Sequence, residues 1–267
     1  MNSRWFLRLT VFAVIATLVA GCGNRINKRD LGADEYFEYA KKKYDDGDYL
    51  GAITEFTVIT LKFSGNPVVD DAQYYLAESH YKQNEFLIAI SEYEKLINDY
   101  PQSPYAVLAQ FKVGLANYEM SLRPALDQSF TRSAMRKFQE FIEENPGHSL
   151  TPEAEKKIMA MREKLASKQL LGATTYRKMG IYDSAVIYYD IILERYYDTA
   201  VVAEAMFYRA ECLYKLEKYL EAQTGYTAYL ERFPEDDHVG DARSRLGEII
   251  DKLDAANEAP ESARLDD

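Results

Sequence analysis

Histidine and cysteine are too scarce in this chain to build most sites that do chemistry. The three histidines, His80, His148 and His238, are far apart and lack the spacing of metal ligands. The two cysteines, Cys22 and Cys212, form no CxxC pair. There is no HExxH, no nucleophile elbow and no glycine-rich phosphate loop. Neither an enzyme nor a bound cofactor is expected, and Glu-rich stretches such as Glu140–Glu144 read as the polar faces of helices. Positive charge is also in deficit. With 32 basic against 43 acidic residues the formal net charge is -11, which makes the chain a poor candidate for binding nucleic acid or anionic lipid through a basic patch. The longest apolar run, Leu9 to Ala20, is interrupted by Thr10 and Thr17 and is too short to span a bilayer.

That run has a different meaning. Arg4 and Arg8 precede it, and Val19-Ala20-Gly21-Cys22 follows. The arrangement resembles an export signal ending in a bacterial lipobox. Residues 1–21 are therefore expected to be removed, and Cys22 to carry acyl chains. Each buried methylene contributes about 0.8 kcal/mol, and two or more chains make a stable anchor. Gly23, where an Asp usually marks inner-membrane retention, implies the periplasmic face of a Gram-negative outer membrane. Loss of Arg4 and Arg8 takes the net charge from -11 to -13. With Cys22 acylated, Cys212 has no partner, no disulfide is expected, and Cys212 reads as a small buried helix residue. The single tryptophan, Trp5, falls in the signal, whereas tyrosine occurs 22 times. Its apolar ring and polar tip suit packed helices and grooves alike.

An alanine followed four residues later by an aromatic recurs five times, at Ala52/Phe56, Ala89/Tyr93, Ala134/Phe138, Ala185/Tyr189 and Ala222/Tyr226. Residues i and i+4 share one face of a helix. Another alanine stands twelve residues before four of these, at Ala40, Ala77, Ala173 and Ala210. A proline stands twelve after three of them, at Pro101, Pro146 and Pro234. The period from Ala52 to Ala89, and from Ala185 to Ala222, is 37 residues. This spacing resembles a slightly stretched tetratricopeptide repeat. Two helices cross closely only where small residues meet, the aromatic fills the gap to the next repeat, and proline stops the second helix. Gly47 and Gly180 stand where a helix ends in a left-handed residue.

The expected fold is all-α: a superhelical solenoid of five helix hairpins with a C-terminal capping helix. The hairpins pair 34–46 with 49–63, 70–83 with 86–100, 105–120 with 130–144, 152–178 with 182–196, and 201–216 with 219–233. A closing helix covers about 240–255. Residues 22–33 read as a lipidated tether, 34–255 as the repeat domain in halves of about 34–146 and 151–255, and 256–267 as a disordered acidic tail. Two irregularities break the period. An insertion at 121–129 separates Gly114 from Ala134 by twenty residues instead of twelve. The fourth hairpin opens on a helix about 40 Å long, started by Thr151 as N-cap with Pro152 at its first position.

Lipobox, five hairpins, insertion and long helix together resemble the BamD family of outer-membrane assembly lipoproteins. The strongest stretches are "DQSFTRSAMRKFQEFIEENP" at 127–146 and "KMGIYDSAVIYYDIILERYYDT" at 178–199. Tyr197 departs from the family where a proline is common. The resemblance implies no catalysis. It implies docking of the C-terminal hairpins, from Ala173 to Asp237, on a POTRA domain of the BamA-like barrel protein. It further implies contact of the N-terminal hairpins with unfolded β-barrel substrates, and possible attachment of other lipoproteins of the machine. Aromatics seven residues apart, two helical turns, mark four of the five first helices, the fourth hairpin having Leu170 and Arg177 instead. Phe37, Tyr44, Tyr74, Tyr81, Phe111 and Tyr118, with Lys82 and the run Lys41 to Lys43 nearby, are the candidates for a substrate-peptide groove. Arg123 in the insertion, with Arg177, Tyr188, Phe207 and Tyr214, is the candidate partner surface. The competing reading is a repeat lipoprotein that pilots a secretin or adapts cell-wall enzymes.

Overall fold

The computed structural model describes residues 28–258, so the expected signal, Cys22 and the last nine residues of the acidic tail lie outside it. After a 3-10 turn at Lys28–Asp30 come eleven α-helices, and the described residues hold no strand. They are α1 (Ala33–Asp45), α2 (Tyr49–Lys62), α3 (Val68–Lys82), α4 (Phe86–Asp99), α5 (Ala106–Glu119), α6 (Ser129–Glu144), α7 (Thr151–Lys178), α8 (Tyr182–Arg195), α9 (Val202–Lys215), α10 (Tyr219–Arg232) and α11 (Val239–Glu258). Each packs on its neighbours in the chain, giving a helical solenoid of five hairpins closed by α11.

The small residues do what their spacing requires. Ala40, Ala52, Ala77, Ala89, Ala134, Ala173, Ala185, Ala210 and Ala222 are fully buried at the helix crossings. A Cβ on Gly114 would sit 2.8 Å from the Phe138 ring, and one on Gly172 would sit 2.7 Å from Tyr188. The aromatics Phe56, Tyr93, Phe138, Tyr189 and Tyr226 have no exposed surface. Burying each ring contributes about 2–3 kcal/mol.

The turns inside the hairpins share one backbone geometry with different residues. Gly47 and Gly180 have φ of 81° and 77°, as their position demands. Thirty-seven residues on from each, Asn84 and Glu217 adopt φ of 61° and 60°. Packing of the two helices imposes the left-handed residue even where no glycine supplies it. Helix ends are similarly independent of proline: α8 stops at Arg195 with Tyr197 in the proline position, its last turn closed by Tyr196 N–H donating to Ile192 O at 2.9 Å.

Most helix ends fall within one residue of the sequence reading, and three differences go further. Helix α3 begins at Val68, two residues early. Helix α11 reaches Glu258 rather than about 255. Leu150, not Thr151, is the N-cap of α7; Thr151 is already helical and its Oγ1 is buried without a partner, so Pro152 occupies the second position. His148 Nδ1 accepts the Leu150 N–H at 3.2 Å, ahead of the helix, and no side chain caps the first turn of α7.

Helix α7 joins the two halves. Its N-terminal part places Ala154 and Met161 against Phe111, Phe138 and Phe141, and its C-terminal part places Ala173 against Ala185 and Tyr189. The insertion at 120–128 is a loop pinned to this helix. Lys164 Nζ donates to Ser121 Oγ at 2.7 Å, and Lys168 Nζ to Leu126 O at 2.7 Å. Buried Gln128 closes the loop from inside, donating to the carbonyls of Arg123 at 2.9 Å and Leu126 at 3.2 Å.

Candidate partner-binding surface

In two of the five hairpins a carboxylate of the first helix meets a tyrosine of the second helix and a cation of the following first helix or of α11. In the second hairpin Glu78 of α3, only 4% exposed, accepts a hydrogen bond from the Tyr93 hydroxyl of α4 and lies 2.7 Å from Lys112 Nζ of α5. In the fifth, Glu211 of α9 accepts from the Tyr226 hydroxyl of α10 and from Arg245 Nε of α11 at 3.0 Å. Both sets have the same spacing: the tyrosine follows the glutamate by 15 residues and the cation by 34. Each carboxylate ties its own hairpin to the next, and burial with charge-assisted bonds makes such ties strong. Burial and the adjoining carboxylate push the Tyr93 and Tyr226 hydroxyls far above the ordinary tyrosine range.

The first, third and fourth hairpins lack the carboxylate, with Lys41, Leu115 and Thr174 in its place, and of these the fourth alone keeps the tyrosine, the others having Phe56 and Phe138. In the fourth, Thr174 is followed by Tyr189 fifteen residues on and Tyr208 thirty-four on. The Tyr189 hydroxyl is buried and has no hydrogen-bond partner; the same is true of Arg177 Nε, one turn along α7 from Thr174. Burial pushes Tyr189 up to about 12, against the pull of the nearby Arg177 charge. The Arg177 guanidinium lies 3.9 Å over the Tyr208 ring. Arg177 and Tyr208 border an open cavity of about 360 Å³ between α7, α9 and α11, whose wall also includes Glu211, Arg245 and Glu248. Cys212 also lines it, buried, its thiol pushed up to about 11 by desolvation. Among the described residues no group of three or more His, Cys, Asp or Glu could hold a metal ion.

The sequence-derived candidates divide by position in each pair. Tyr74, Phe111 and Phe207 are buried and unavailable to a ligand, which corrects their placement on a groove or surface. Tyr74 stacks on Tyr105 with centroids 4.3 Å apart, Phe111 packs on Phe138 and Phe141, and Phe207 stacks on His238 at 4.3 Å. Phe37 is half-buried against Phe56 and Tyr75. The later members, Tyr44, Tyr81, Tyr118 and Tyr214, are half-exposed, and three of the four have a cation of the next first helix over the ring. Lys112 covers Tyr81 at 5.3 Å, Lys157 covers Tyr118 at 4.0 Å, and Arg245 covers Tyr214 at 4.3 Å. Tyr214 also donates to Glu248 at 2.9 Å. Over Tyr44 the cation is Lys41 of its own helix, at 5.7 Å. Seven residues on a helix turn through slightly less than two full turns, and the later residue lies where the next hairpin leaves a gap.

Lys41, Lys42 and Lys43 are paired with Asp45, Asp46 and Asp48, so they are not free for a peptide carboxylate; Lys82 is exposed. Tyr188 stacks on Tyr176 above Gly172 rather than facing outward. Arg123 is exposed at the tip of the insertion. Sequence reasoning missed Glu78, Glu211, Tyr208 and Arg245, although the shared spacings of 15 and 34 residues would have found them.

A family model described as an outer membrane lipoprotein, YfiO, matches residues 29–228. The chain is 23% identical over 246 residues to the outer membrane protein assembly factor BamD of Caulobacter vibrioides, covering 90% of this chain and 81% of that one. It is 21% identical over 215 residues to the BamD of Haemophilus influenzae, covering 76% and 81%. Among solved structures it is similar to the TPR2AB domain of yeast Sti1, at 16% identity and a TM-score of 0.44, over 84% of this chain and 86% of that one.

Proposed function

The chain belongs to the YfiO family of outer membrane lipoproteins, and on that premise we propose that it is a non-catalytic scaffold for assembling β-barrel proteins into the outer membrane. In this reading Cys22 carries the lipid and holds the solenoid on the periplasmic face. The C-terminal hairpins dock a POTRA domain of a BamA-like barrel protein. The half-exposed tyrosines of the N-terminal hairpins, Tyr44, Tyr81 and Tyr118, receive unfolded barrel segments.

The observation that carries the docking reading is the missing carboxylate of the fourth hairpin. Tyr189 and Arg177 present two buried donors with no acceptor, in a position where two other hairpins supply a glutamate of their own. A buried donor left unpaired costs about 1–3 kcal/mol. A partner's Asp or Glu entering beside Tyr208 would satisfy both at once, and the cavity next to Arg177 gives it a way in. The relatives' name supports the same reading, since they are assembly factors for outer membrane proteins. No described helix is long and apolar enough to cross a membrane, so membrane association is assigned to the lipid.

The direct test is affinity capture of the full acylated chain from detergent-solubilised envelopes, with depletion in parallel. Recovery of the BamA-like protein, and loss of β-barrel proteins from the outer membrane on depletion, is the expected result. Capture of secretin or cell-wall enzymes instead, with barrel proteins unchanged, would overturn it.

A further inference from the structure

Helix α2 differs from every other second helix of the array in exposing no charge before its last residue. Its exposed residues are Leu50, Thr54, Leu61 and, at the last position, Lys62. The other second helices expose apolar residues too, Leu87 and Ile88 on α4, Ile187 on α8 and Leu220 on α10, but each exposes several charges beside them: Lys95 and Asp99 on α4, Asp183, Glu194 and Arg195 on α8, Glu221, Glu231 and Arg232 on α10, as α6 does with Arg132, Arg136, Glu143 and Glu144. Leu50 and Leu61 are 64% and 76% exposed. At 100° per residue, Leu50, Thr54, Thr57 and Leu61 form one stripe along the helix. The two threonines add little polarity to it. Thr54 Oγ1 donates to Leu50 O at 3.1 Å and Thr57 Oγ1 to Ile53 O at 2.7 Å, so both hydroxyl protons are spent on the helix itself.

We infer that this stripe rests on the lipid surface, as an interfacial helix face. The inference depends on the reading of Cys22 as the acylated residue. The position of α2 relative to that residue supplies the argument. Lys28 Nζ donates to Glu55, a buried carboxylate on α2 that also accepts the Tyr36 hydroxyl at 2.7 Å. The start of the described chain is thereby fastened to the middle of α2. Lys28 stands only six positions after Cys22, a reach of about 20 Å even when fully extended. The first hairpin therefore cannot leave the neighbourhood of the bilayer, whereas the charged outer faces of α8 and α10 belong to the far end of the array. An uncharged apolar stripe held this close to lipid matches the design of helices that lie in the headgroup boundary, with Lys62 at its edge for the headgroups. Contact at two points, acyl chains and stripe, fixes the angle at which the solenoid stands from the membrane and so where its C-terminal surface is presented.

The test is depth quenching on the full acylated chain reconstituted in vesicles of phosphatidylethanolamine and phosphatidylglycerol. A bimane label is placed at Thr57→Cys on α2 or, as a control, at Thr224→Cys on α10; buried Cys212 does not compete for the label. Nitroxide lipids are expected to quench the Thr57 label at least about threefold more than the Thr224 label. The double variant L50E/L61E is expected to lower this to the control level with an unchanged melting temperature, since both leucines are exposed. A chain that floats with the vesicles but shows equal quenching at both labels overturns the inference and leaves the anchor standing. A chain that does not float overturns both. Equal quenching together with a dimer that L50E/L61E dissolves would instead assign the stripe to a second copy.

Discussion

Arg245 Nε of the capping helix donates to Glu211 Oε1 of α9 at 3.0 Å, repeating at the same 34-residue spacing the 2.7 Å pair that Lys112 makes with Glu78. The array is thus held by recurring carboxylates as well as by apolar contacts, and hairpins with and without the carboxylate are expected to behave differently.

Glu78→Ala removes a buried acceptor shared by Tyr93, Lys112 and, at 3.5 Å, the Tyr44 hydroxyl. Leaving one charge and the buried Tyr93 hydroxyl unpaired is expected to cost about 2–3 kcal/mol, below the full penalty for a broken buried pair because the lysine end reaches solvent. The urea midpoint should fall with an unchanged m value.

Glu217→Gly should raise stability by about 1 kcal/mol, because the left-handed backbone there strains a residue with a Cβ. Asn84→Gly should gain less, as asparagine tolerates that conformation. Thermal melts of the two single variants measure the difference.

Gly114→Ala is expected to destabilise by about 1–3 kcal/mol through overpacking. The added methyl would stand 2.8 Å from Phe138, whose ring is fully buried and has little room to retreat. A melting temperature equal to that of the unmodified chain would show that α5 and α6 separate more easily than their packing suggests.

Stability should decline on the alkaline side. Burial raises the Cys212 thiol from 9.0 to about 11 and the Tyr189 hydroxyl from 10.0 to about 12. Between about pH 9 and 12 the unfolded chain therefore binds fewer protons than the native one, so the free energy of unfolding falls as pH rises. It is fully present below pH 9. Denaturant midpoints across this range check the slope, and Cys212→Ala should flatten its first part.

The repeat register was legible because it depends on size alone: an alanine crossing tolerates few alternatives, and Ala52/Phe56 and its four counterparts all lie where their spacing puts them. The long α7 and the insertion were legible as departures from that period. Exposure of the aromatics was not. Tyr74 and Tyr81 share a face in sequence, but the next hairpin covers the first and leaves the second half-open, and no local pattern reports where a neighbour ends. The vacancy in hairpin four was also hidden, since Thr174 is an ordinary helix residue until its counterparts Glu78 and Glu211 are seen bonded to tyrosine and cation.

Thr174→Glu tests the docking surface most directly, because it builds into hairpin four the acceptor that Glu78 and Glu211 supply elsewhere. The variant should bind Tyr189 and Arg177 internally, keep or raise its melting temperature, and lose affinity for the POTRA segment of the BamA-like protein by at least about tenfold in calorimetric titration. A variant that folds with the same or higher stability and binds that segment as tightly as the unmodified chain would contradict the idea that a partner's carboxylate fills this gap.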